Sequence, residues 1–136
     1  MKRLRIVSFG YKFGLPDEAD IVLDVRCLTN PFWVAELRSS SGLEAVVEDY
    51  VLSFEESRNF IKATLDWLNT VVPQYFLNGR ETLTVAVGCT GGRHRSVVVG
   101  EKIAQGLNPS GLTVELEHRD IERDALLEIE DPASKE

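Results

Sequence analysis

The nine residues Gly88-Cys89-Thr90-Gly91-Gly92-Arg93-His94-Arg95-Ser96 constrain this chain more than any other stretch. They follow Leu83–Val87, which alternates and then runs apolar like a central strand, and they lead into the helix-like segment Ser96–Leu107. A strand, a glycine-rich turn and a helix in that order predict a three-layer α/β domain with a mostly parallel sheet, the turn lying at the carboxyl end of its strand. Free backbone N–H groups and the positive end of the helix dipole converge at such a junction, so it is a place for an anion. Gly91 and Gly92 allow the backbone to approach a phosphate closely, Arg95 offers a bidentate guanidinium, and Thr90 and Ser96 offer hydroxyl donors. His94 has two readings: a helix-start residue that caps or packs, or a hydrogen-bond donor to the phosphate.

The same string fits Cys-x-x-Gly-x-x-Arg-Ser through Cys89, Gly92, Arg95 and Ser96, the pattern of cysteine-dependent phosphatases. There a thiolate attacks phosphorus while backbone N–H groups and arginine hold the oxygens. The competing and preferred reading is a small inert thiol at a strand end. No residue is therefore assigned as catalytic, and Cys89 is the alternative nucleophile.

Two further strands are expected, Leu4–Phe9 and Ala19–Val25, placed as neighbours in a parallel sheet, and a last one over Thr113–Glu117. Asn30-Pro31 and the run Ser39-Ser40-Ser41-Gly42 make 26–42 mostly loop, with a helical turn near Trp33–Leu37. A long helix starts from a cap at or near Ser53, carries Phe60, Ile61, Leu65, Leu68 and Val72 on one face, and is ended or kinked by Pro73. Asp24 closes the second strand beside the phosphate loop, where it either meets a ligand or pairs with Arg26 or Arg95. His118 and Arg119, after the last strand, are candidates for the same rim. One domain over residues 1–130 with a polar tail over 131–136 follows from the length and the pattern.

Composition narrows the function classes. The 136 residues carry a net charge of −7, which opposes indiscriminate nucleic-acid binding, and 43% hydrophobic residues supply a core. The cations Lys2, Arg3, Arg5 and Lys12 crowd the first fourteen residues, whereas the end from Glu115 onward is acidic. No stretch is long and apolar enough for a membrane helix, the start does not read as a signal peptide, and two cysteines make no disulfide framework, so a cytoplasmic protein is expected. Cys27, Cys89, His94 and His118 lack the spacing of a zinc site, and no metal or other cofactor is expected.

Ser8-Phe9-Gly10-Tyr11-Lys12-Phe13-Gly14, Asp20-Ile21-Val22-Leu23-Asp24-Val25-Arg26, Asn30-Pro31 with Trp33, and above all Gly-Cys-Thr-Gly-Gly-x-His-Arg-Ser at 88–96 together resemble the C-terminal domain of the RapZ family over roughly residues 6–120. That resemblance implies a binding or sensing domain for a phosphorylated small metabolite, such as glucosamine-6-phosphate, in a regulatory role. Its site would include Asp24, Thr90, Gly91, Gly92, His94 and Arg95. It also implies self-association, a partner protein and RNA binding as an adaptor. The sequence departs from the family pattern in three respects. No Walker-type phosphate loop is present, as in a stand-alone version of the domain. Phe32 stands where adaptor members carry His, and Ile121–Glu128 replaces a basic tail with an acidic one.

Overall fold

The computed structural model describes residues 2–107 and 111–123. Its centre is a four-stranded, all-parallel sheet in the order β2-β3-β1-β4, with β1 at Lys2–Gly10, β2 at Ile21–Asp24, β3 at Thr82–Cys89 and β4 at Leu112–His118. The expected single α/β domain with a parallel sheet is therefore what the chain forms, and the glycine-rich loop falls at a strand-to-helix junction between β3 and the helix over Arg95–Gly106. One neighbour relation differs: β2 pairs with β3, not with β1, because β3 inserts between them, with Asp24 level with Gly88. The two inner strands, β1 and β3, carry the longest apolar runs, and Leu4, Ile6, Leu83, Val85 and Val87 are fully buried. Strands covered on both faces need such runs.

The helices α1 (Ala45–Leu52), α2 (Glu55–Leu77) and α3 (Arg95–Gly106) contact one another and gather over one face of the sheet. Their buried residues, among them Ile61, Leu68, Val72, Phe76, Val99 and Ile103, close the core against Leu4, Ile6, Val85 and Cys89. The segment 11–20, in which Tyr11–Phe13 forms a 3-10 turn, meets side chains of β1. There Tyr11 packs on Phe9 and Glu18 pairs with Arg5.

Two details of the long helix are narrowed by the structure. Phe54, the neighbour of Ser53, occupies the N-cap position of α2, and the Ser53 hydroxyl donates to the Tyr50 carbonyl at the end of α1. Of the two effects expected of Pro73, ending the helix is not what happens, since the helix continues to Leu77. Pro73 supplies no N–H to the carbonyl four residues earlier, but that residue, Asn69, is exposed and water can satisfy it, while Val72 and Phe76 on either side are buried in the core and hold the turn. The region near Trp33–Leu37 forms two 3-10 turns, Pro31–Trp33 and Ala35–Leu37. No described helix is long and apolar enough to cross a membrane. The tail expected at 131–136 lies outside the described residues.

Candidate functional site

The 88–96 loop connects β3 to α3 and is tied down on both sides. The Lys12 N–H donates to the Thr90 carbonyl at 3.2 Å, and the Gly42 N–H donates to the Arg93 carbonyl at 2.9 Å. Gly92 adopts φ +79°, open to glycine at little cost, and a side chain there would meet the Gly10 nitrogen at 2.6 Å. The loop is thus pressed onto the end of β1. At its floor the Cys89 thiol is 2% exposed, receives the Gly92 N–H at 3.3 Å and lies 3.1 Å from the Ser96 hydroxyl oxygen. Cys27 is exposed, and among the described residues no group of His, Cys, Asp and Glu is arranged to hold a metal.

Arg95 opens α3 yet is only 5% exposed. Its guanidinium donates to the carbonyls of Arg26 (2.9 Å) and Leu28 (3.0 Å) and reaches the Thr90 hydroxyl at 3.5 Å, while its Nε has no acceptor among the described residues. Burial lowers its pKa from the ordinary arginine value, and the nearby Cys89, Asp24 and Cys27 oppose that. It remains a cation at any working pH. Among the described residues it makes no ion pair with a carboxylate. A buried cation bonded to carbonyls, with one donor unused, is an electrostatic debt that an oxyanion relieves. No side chain caps α3, so its first-turn amides add donors and field at the same place.

His94 is 4% exposed and Ser96 fully buried. Together with Asn30, Phe32, Cys89, Thr90, Gly91, Arg93 and Arg95, His94 lines a pocket of about 10 Å³, room for a water-sized group as it stands. A larger groove of about 450 Å³ runs between α2 and α3. Its floor is aliphatic and its lysines Lys62 and Lys102 are already paired with Asp66 and Glu48, so it lacks the converging donors of the loop.

Asp24 lies at the rim, where the Arg26 side chain holds both its oxygens, the closer contact being 2.7 Å. Hydrogen bonds from Arg26 keep its carboxyl below the usual aspartate value despite partial burial, and Arg95 adds to that. Arg26 also stacks on Tyr11 at 3.7 Å. Of the two Asp24 pairings open in the sequence, the contact is with Arg26. His118 and Arg119 do not join the rim by any described contact. The His118 ring is taken up by Ser8 (2.6 Å) and Glu101 (2.8 Å), and Arg119 binds Asp120 and the Gly14 carbonyl.

Sequence reasoning overlooked Asp120. It is fully buried, accepts the Gly10 N–H at 2.8 Å and pairs with Arg119 and Arg123. Because Gly10 is the residue against which Gly92 presses, Asp120 fixes the loop from behind. Its only sequence signal is its position directly after the last strand.

A buried arginine and a helix start brought together at a glycine-rich loop of a parallel α/β domain make the kind of junction at which anions can be held. The RapZ C-terminal domain model matches residues 2–122, and the chain belongs to that family. A nucleotide-binding protein of Clostridium acetobutylicum is 46% identical over 119 residues, 88% of this chain and 40% of that protein. One of Lactobacillus acidophilus is 48% identical over 120 residues, 88% of this chain and 41% of the relative, and one of Clostridium botulinum is 44% identical over 121 residues, 89% and 41%. The chain spans about two fifths of the length of these curated relatives.

Proposed function

We propose that the 88–96 loop binds the phosphate group of a small phosphorylated metabolite, an amino sugar phosphate of the glucosamine-6-phosphate kind, and that the domain acts as a regulatory sensor, not an enzyme. The observation that carries this is Arg95: a cation 95% buried that, among the described residues, bonds only to carbonyls and a hydroxyl and leaves its Nε unused, at a helix start with no side-chain cap from its N-cap residue. Thr90, Gly91, Gly92, His94 and Ser96 surround the phosphate oxygens in this reading, and Asp24 accepts from a ligand amine or hydroxyl once Arg26 turns away. Cytoplasmic location and self-association belong to the same reading.

The N-terminal cations offer little to RNA. Arg3 pairs with Glu115, Arg5 with Glu18 and Glu117, the Lys2 ammonium binds the Phe76 carbonyl, and Arg93 is buried with its guanidinium on the carbonyls of Ser39 and Ile121. Counterion release needs exposed cations free to meet phosphates, and these are engaged.

The test is calorimetric titration of the chain with inorganic phosphate and glucosamine-6-phosphate, beside Arg95→Ala. Losing the charge-assisted bonds is expected to cost about 1.5–3 kcal/mol of binding. Phosphate bound equally by wild type and a folded Arg95→Ala chain, or by neither, refutes the proposal.

A further inference from the structure

We propose that Trp33 is a stacking platform for the ring of a phosphate monoester whose phosphate occupies the 88–96 loop, an inference that rests on the phosphate reading above. The pocket at the loop has room for no more than a water-sized group, so a phosphate on the loop must sit at its opening and whatever the phosphate carries must lie farther out. Part of the wall there comes from the turn at Pro31–Trp33, through Asn30 and Phe32. That turn is unusually well fixed for a loop. The Asn30 carboxamide accepts the Phe32 N–H at 3.0 Å and Pro31 presets the first dihedral. The Arg38 guanidinium lies 4.5 Å over the Phe32 ring, and its Nε donates to the Phe32 carbonyl at 3.0 Å.

Phe32 is thereby held 2% exposed as the apolar wall, and Trp33 meets it edge-on, ring centroids 5.2 Å apart and planes at 81°. Trp33 itself remains 57% exposed. The fixed turn thus buries one aromatic in the pocket wall and holds a second, largely solvated, one ring contact away from that wall, where its π face is open to a substituent that reaches beyond Phe32. Stacking on such a face adds affinity without demanding a particular hydrogen-bond pattern. The chemistry required is a ring with a flat face bearing a phosphate monoester, met by the C–H face of a pyranose phosphate and by the base of a nucleoside monophosphate.

The experiment uses the full chain carrying Trp67→Phe, which leaves Trp33 as the one indole, with inorganic phosphate, glycerol 3-phosphate, glucosamine-6-phosphate and adenosine monophosphate as probes. Trp33 emission is expected to change on titration with a ring ester and not with the two small phosphates. Trp33→Ala is expected to weaken the ring ester about tenfold while leaving inorganic phosphate unchanged, with Trp33→Phe keeping most of the affinity. Whether the sugar or the nucleotide shows the loss identifies which ring is stacked. The platform is overturned if Trp33→Ala leaves both ring esters unchanged, or if glycerol 3-phosphate binds wild type as tightly as they do. In either case an intact affinity for inorganic phosphate leaves the phosphate reading standing, whereas failure of every probe to bind wild type removes both.

Discussion

Gly92→Ala tests the geometry on which the site depends. The added Cβ would lie 2.6 Å from the Gly10 nitrogen, 2.8 Å from the Phe9 carbonyl carbon and 3.0 Å from the Asp120 Cβ. Ordinary contact needs about 3.4 Å or more, so the end of β1 would have to withdraw by roughly 0.8 Å, an overpacking cost of about 1–3 kcal/mol. Gly10 cannot withdraw freely, because its N–H is bound to Asp120 at 2.8 Å and it is paired with Cys89 in the sheet. The dihedral adds a second cost: φ of +79° is worth about 1–2 kcal/mol against alanine. The two together predict about 2–5 kcal/mol. Gly79→Ala separates them, since Gly79 has φ +100° with nothing within 4 Å of its would-be Cβ and so carries the dihedral cost alone. Urea denaturation of both variants, read at matched m-values, gives the crowding contribution as their difference. Equal losses in the two variants would refute the close approach of the loop to β1, and with it the account of how the loop is held.

Asp120→Ala leaves the Gly10 N–H and Arg119 without their shared acceptor and should destabilise the chain by about 2–4 kcal/mol in the same assay, while a loss under about 0.5 kcal/mol would show that Asp120 is not the support described. Asp24 has its pKa lowered from 3.8, chiefly by the Arg26 hydrogen bond, so its small stabilising effect is present above the unfolded value and fades as pH falls through the folded one. Arg26→Ala should move the Asp24 carboxyl titration, followed by carbon-13 NMR, upward toward 3.8, and an unmoved titration contradicts the pairing. Aryl phosphates should not be turned over by the wild type, whose Cys89 thiol is buried and hydrogen-bonded. Release of phosphate that disappears in Cys89→Ser would make the chain an enzyme after all.

The parts of the fold legible in the sequence are those in which local pattern and tertiary role agree. β3, the glycine loop and α3 announce themselves because a fully buried strand must be continuously apolar and an anion site needs glycine, hydroxyl and arginine in close order. Helix α1 escaped because Ala45–Leu52 is short and contains Val46, Val47 and Val51, residues that favour strands. A cue was present in Ser41 and Glu44, three apart, whose N–H and carboxylate bond at 2.9 Å just ahead of the helix. Strand order was not legible, since nothing local to β1 or β2 says that a strand sixty residues later will separate them. Asp120 was hidden for a similar reason: its role depends on Gly10, 110 residues away, and a single acid in an acidic stretch reads as solvated surface.

The net charge of −7 and the proposed anion site are reconciled by where the charges lie. At about 0.15 M salt exposed charges are screened over roughly 8 Å, so most of the surface acids do not act on a ligand held inside the loop. Several are also spent on cations of β1, as Glu115 is on Arg3 and Glu117 on Arg5, which neutralises the sheet edge without touching the site. Asp24 at the rim is held by Arg26, while Arg95 lies against carbonyl oxygens at the start of α3. In the proposed reading a phosphate entering the loop would meet a buried cation and backbone amides with less solvent between them than an exposed pair has, so the local attraction would outweigh the screened repulsion of distant acids.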